Sequence, residues 1–182
     1  MQTLSGATAA FDRRIELLRY TQDLVWTFRE NSSTWWHLPT TEDSLAFLVT
    51  ETGNVIRAHL RLNPQYAKRP EVDPLTEWAT VVFMALTVLG GRDFNPHTVM
   101  RSTALAVRYE YLERVGIQPR YMAARDAASA LIFYLENNDL WQHYVGNVLD
   151  CALMVLGDGV YENVRQRLDA IWAKNQMTRI TA

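Results

Sequence analysis

Residues Trp78 to Gly90 read W-A-T-V-V-F-M-A-L-T-V-L-G, and Val145 to Gly157 read V-G-N-V-L-D-C-A-L-M-V-L-G. Laid on one another at an offset of 67, the two stretches share Val, Ala, Leu, Val, Leu and Gly at six of thirteen positions. In the first copy Asp73-Pro74 supplies an N-cap followed by proline at the first helical position, and Gly90-Gly91 supplies the stop. Both stretches therefore read as buried helices, and each is preceded by a helix and followed by one. Helices two, three and four look like a unit repeated, with changes, as helices five, six and seven. The plainer reading is that any two buried Ala/Leu/Val helices ending in glycine match about this well.

Outward from these stretches the pattern stays helical. Phe11, Ile15, Leu18, Val25 and Phe28 recur at helical spacing after a small-residue start at Met1 to Ala7 that is expected to fray, and Asn31-Ser32-Ser33 closes helix one. Thr40 or Thr41 caps helix two, whose first turn carries Glu42 and Asp43 and whose inner face is Leu45, Leu48, Thr52, Val55, His59 and Leu62. Asn95-Pro96 starts helix four, which Gly116 ends. Helix five spans Tyr121 to Leu135 with Ala127, Ala130, Leu131 and Tyr134 inward, and Glu136-Asn137-Asn138-Asp139 breaks it. Helix six runs from about Leu140 to Leu156, and Gly157-Asp158-Gly159 separates it from helix seven, marked by Val164, Leu168, Ile171 and Trp172. The expectation is an all-α bundle of about seven helices with an internal duplication, one unit at 8–116 and a second, degenerate unit at 117–182 packed in the same domain.

Composition agrees with this class. The chain has 182 residues, 48% of them hydrophobic and 21% charged, enough to bury a core. Its net charge of -2 offers no general attraction to a phosphate backbone, so no nucleic-acid partner is expected. The single Cys151 lies in an apolar helical stretch and is read as packing, which excludes an intrachain disulfide and points to a reducing compartment. The longest apolar stretch, Ala79 to Leu89, is about half the length of a membrane span. With no signal pattern at the N-terminus, a cytoplasmic protein without a membrane partner is expected.

Glu51 and Asn54 lie three apart on helix two, and Glu77 and Thr80 lie three apart on helix three. Spacing of three puts both members of a pair on one helix face. If the two helices pack antiparallel, the four side chains meet across the bundle, as carboxylates do when helical proteins hold divalent metals. The second unit offers Asp126 and Ser129 in the places of the first pair, and Tyr144 and Asn147 in the places of the second, hence one acid. Glu110-x-x-Glu113 and Glu136-x-x-Asp139 also have the spacing, but the latter reads as a helix stop and neither has an apolar frame to point it inward.

At these residues the sequence resembles the MazG-like all-α nucleoside triphosphate pyrophosphohydrolases. Trp36 and T-E-D-S-L (Thr41 to Leu45) are similar to the family's W-D-x-x-Q-T-x-x-S-L, and L-V-T-E-T-G-N-V (Leu48 to Val55) is placed like its L-x-E-E-x-x-E-l. T-E-W-A-T-V-V-F (Thr76 to Phe83) is placed like E-E-L-x-D-v-l-F, and A-K-N-Q-M-T-R (Ala173 to Arg179) looks like a shuffled s-N-M-x-K. The resemblance implies a homodimer and Mg²⁺-dependent hydrolysis of nucleoside triphosphates to monophosphate and pyrophosphate, the ions being held by E-x-x-E and E-x-x-D pairs.

This chain departs from that pattern. Glu51 and Glu77 stand, but Asn54 and Thr80 replace the second acid of each pair, and Thr50 stands where many members have a further Glu. Each lost carboxylate at contact distance removes several kcal/mol of ion attraction even at an effective dielectric of about 20. The metal set Glu51, Glu77, Asn54 and Thr80 is thus expected to hold Mg²⁺ weakly, with slow or absent hydrolysis. The double change Asn54→Glu with Thr80→Asp is expected to restore a four-carboxylate shell. The alternative is a non-catalytic helical module that binds a nucleotide or a protein. Trp36, with Trp35 and His37, offers a shelf for a base, or a loop packed on helix one. Lys174, Asn175 and Arg179 offer a phosphate contact, or simply suit the dipole of a last helix. His59 reads as a hydrogen-bonded core residue. No catalytic residue is assigned, and the base, the sugar and the partner are not legible.

Overall fold

The Thr40 hydroxyl accepts the backbone N–H of Asp43 at 3.1 Å, and the Asp73 carboxylate accepts that of Leu75 at 3.1 Å. These two caps satisfy N–H groups that a first helical turn leaves open. They start α2 (Thr41–Arg61) and α3 (Pro74–Val88), the latter with Pro74 in its first turn. The structure, a computed structural model, describes residues 4–31, 40–66, 73–90 and 114–180. The other helices in it are α1 (Leu4–Asn31), α4 (Pro119–Leu135), α5 (Trp141–Leu156) and α6 (Val160–Ile180). Two short 3₁₀ turns, Pro64–Tyr66 and Gly157–Gly159, complete the regular elements, so every element among the described residues is helical. Of the helix expected from Asn95, only the end lies among the described residues: Arg114 and Val115 are helical and Gly116 follows at φ 67.

The core is organised around α3. Trp78 through Val88 are all buried, so this helix is apolar on every side and must be surrounded. It packs against α1, α2, α5 and α6. α2 and α3 form one hairpin and α4 and α5 another, with α2 against α4 and α3 against α5. First helix therefore meets first helix and second meets second. Leu18, Val25, Leu45, Leu48, Val55, Leu149 and Leu153 share one continuous apolar cluster with α3. Phe28 of α1 sets its ring edge-on to Phe83 of α3 at 6.1 Å and to Trp172 of α6 at 6.2 Å, joining the outer helices to the centre.

Several local expectations need correction. α1 already begins at Leu4 rather than after Ala7, since the alanines of that segment favour helix over fraying. α4 starts at Pro119, two residues before Tyr121, because proline fits the first turn. Leu62, placed on the inner face of helix two, is 58% exposed: it is the C-cap of α2, where the chain leaves the bundle. His59 is half-buried rather than a core residue. Trp172 packs on Phe28 but keeps 41% of its surface in solvent. The expected break after Leu135 is a turn with Asn137 at φ 54, a left-handed conformation that asparagine tolerates better than most residues. No helix of the described residues is long and apolar enough to cross a membrane.

Candidate functional site

α2 packs against α3, and Glu77 in the first turn of α3 feels the charges of Glu51, Arg57 and Arg61 of α2. The packing of α2 on α3 thus brings the two glutamates within electrostatic reach of one another. Both carboxylates are half-buried. On α2 the Asn54 amide donates to Glu51 Oε2 at 3.0 Å. On α3 the Thr80 hydroxyl donates to the Thr76 carbonyl at 3.0 Å and accepts the Arg167 Nε–H at 2.8 Å. Arg167 belongs to α6, so three helices contribute to the site.

The electrostatics follow from this placement. Burial and the neighbouring Glu51 carboxylate push the Glu77 carboxyl above its ordinary value of 4.5, while Arg167, Arg57 and Arg61 pull the other way without reversing the shift. A carboxyl raised in the folded chain binds its proton more readily there than in the unfolded chain. Its ionisation therefore weakens the fold, the loss setting in as pH rises past the unfolded value and completing above the raised one. Glu77→Gln is expected to melt at a higher temperature than wild type at pH 7, and the advantage should vanish as pH drops below about 4.5. Thermal melts at pH 4 and pH 7 make the comparison, and a variant less stable than wild type at neutral pH would contradict it.

A divalent ion needs several oxygen donors converging on one point. Glu51 and Glu77 suit it; the other two members do not. Asn54 is a neutral amide that commits an N–H to Glu51, and Thr80 already serves a guanidinium. Among the described residues no group of three or more His, Cys, Asp or Glu side chains comes together. Glu51 and Glu77 lie within electrostatic reach of one another, but as a donor set the four positions expected to hold Mg²⁺ fit a metal poorly.

The remaining candidates are scattered. Trp36, with Trp35 and His37, lies outside the described residues, as do Glu110 and Glu113. Asn175 and Arg179 fall on α6, with side chains outside the described set, and Lys174 is exposed on the same helix. In the second unit Asp126 is fully buried and takes two hydrogen bonds from Arg125, at 2.9 and 2.6 Å, so it is engaged by its chain neighbour. Ser129 donates to the Arg125 carbonyl at 3.0 Å, and Tyr144 stacks on Phe133 at 5.0 Å. His59 loses proton affinity through burial and the nearby Arg120.

Arg57, Arg61 and Arg167 were not among the residues singled out by spacing. Arg57 and Arg61 had a signal, because 54, 57 and 61 follow the same helical face. Arg167 had none, as it meets Thr80 from 87 residues away. Comparison with known proteins finds no matching family model, no matching curated protein and no matching solved structure.

Proposed function

We propose that this chain is a MazG-like nucleotide pyrophosphohydrolase relative with an eroded metal site, one that hydrolyses nucleoside triphosphates slowly or not at all. The observation that carries the reading is the Asn54 amide bonded to Glu51 at 3.0 Å, one helix away from Glu77. It leaves Glu51 and Glu77 as the two acids and puts a neutral amide, bonded to Glu51, where a second carboxylate would stand. The packing of hairpin on hairpin supports a duplicated unit, the first at 8–116 and the second at 117–182, in a bundle of about seven helices. The homodimer that the resemblance implies belongs to the same reading, with Tyr121, Ile132 and Leu135 on α4 as exposed apolar surface for it. A second reading, a non-catalytic helical nucleotide-binding or interaction module, is favoured by Arg57 and Arg61, whose charge beside the glutamates suits an anion without a metal.

The test is pyrophosphate release from the wild-type chain with Mg²⁺ and each common nucleoside triphosphate, run beside calorimetric titration of the same nucleotides. Binding with slow or absent release is expected. Robust wild-type turnover would refute the eroded site, and no binding of any nucleotide would refute the nucleotide reading altogether.

A further inference from the structure

The bond from Arg167 to Thr80 has a consequence for every attempt to load this site with metal. The Thr80 hydroxyl hydrogen is committed to the Thr76 carbonyl, so its oxygen faces the guanidinium, 2.8 Å from Nε. Thr80 is one turn from Glu77 on the same helix face, which sets a fixed positive charge near Glu77. Arginine is never deprotonated under ordinary conditions and carries its charge on a planar fork of donors. A divalent ion arriving between Glu51 and Glu77 meets that charge and loses Thr80 as a ligand. We propose that the Arg167 guanidinium is a built-in cation that closes the Glu51 and Glu77 pair to divalent metal. The proposal rests on reading that pair as the remnant of a metal position. It assigns the remnant's present state to a residue of α6 rather than to the missing carboxylates alone.

The effect of repairing the carboxylates then changes. Thr80→Asp places an acid where Arg167 already donates, and the two would form a charge-assisted pair instead of a metal ligand. Asn54→Glu with Thr80→Asp, the repair expected from sequence to suffice, is therefore incomplete unless Arg167 is also neutralised. The field on Glu77 agrees with the placement, because Arg167 is the foremost of the three arginines that offset its raised proton affinity.

The experiment is titration of Mn²⁺ alone, by calorimetry, into four full-length proteins: wild type, Asn54→Glu/Thr80→Asp, the same pair with Arg167→Gln, and the same pair with Arg167→Lys. Wild type, the double variant and the lysine triple should bind weakly, and the glutamine triple at least about tenfold tighter. If the double variant binds as tightly as the glutamine triple, Arg167 does not guard the site and the inference falls, while the reading of the pair as a metal remnant stands. Tight binding by the lysine triple overturns it too, since the charge would then be irrelevant. If no variant binds Mn²⁺, the four positions do not converge on a cation, and the inference falls together with the reading beneath it. Should the glutamine triple not fold, Arg167→Met, which keeps the aliphatic stem and removes the charge, makes the same comparison.

Discussion

Trp78→Ala is expected to lower folding stability by about 3–5 kcal/mol, a loss of two to more than three orders of magnitude in the folding equilibrium. Trp78 is fully buried at the start of the run that makes α3 the centre of the bundle. Alanine there leaves a cavity among helices that cannot collapse without moving one another. Trp78→Phe is the informative control, because the indole Nε1 is buried without a hydrogen-bond acceptor. Phenylalanine gives up volume but also removes an unsatisfied donor, so its cost should be well below that of alanine. Urea denaturation of the three proteins decides it. An alanine variant within about 1 kcal/mol of wild type would mean that α3 is not the element around which the others are packed. Because Trp78 lies between Glu77 and Thr80 in sequence, a loosened α3 would also disturb the geometry on which the site depends.

Thr87→Val is expected to cost about 1.5–3 kcal/mol, although it exchanges side chains of nearly the same shape. The Thr87 hydroxyl accepts the Arg29 Nε–H at 2.9 Å and donates to the Phe83 carbonyl at 2.8 Å. Arg29 is only 6% exposed, and burial draws its pKa down to about 10. Its guanidinium lies over the Phe83 ring at 4.9 Å, so the same arginine ties α1 to α3 through a ring face and a hydroxyl. Valine keeps the volume and deletes the acceptor, leaving a buried charged donor short of one partner. Thr87→Ser retains the hydroxyl and should recover most of the loss. A valine variant as stable as the serine one would show that the bond carries no net stability.

The candidate site was legible in its acids and illegible in the cation that comes from α6. Glu51 with Asn54 and Glu77 with Thr80 stood out because spacing of three fixes a common helix face before any tertiary contact is known. That the two helices pack on one another followed from their being consecutive in the chain. Arg167 carries no such mark. Its neighbours on α6 are Glu162, Arg165 and Asp169, which bond among themselves and look like any solvated helix face. Only the packing of α6 on α3 turns one arginine of that helix inward to Thr80. Asn54 shows the same limit at closer range, since whether its amide offers oxygen or N–H depends on where the Glu51 carboxylate sits.

What the sequence by itself determined is the set of helices among the described residues and most of their ends. Thr40, Asp73-Pro74, Gly90 and Asn137 act on the backbone next to them, through caps, a fixed φ and left-handed turns, and such effects need no partner from elsewhere in the chain. The apolar run from Trp78 to Val88 likewise announced a helix that had to be enclosed. Only the tertiary structure decided which helices enclose it, that α2 meets α4 while α3 meets α5, and that a side chain of α6 reaches Thr80. The physical reason is range: propensity and capping act over a few residues, whereas a helix's neighbours and a charge's partner are set by the packing of surfaces far apart in the chain.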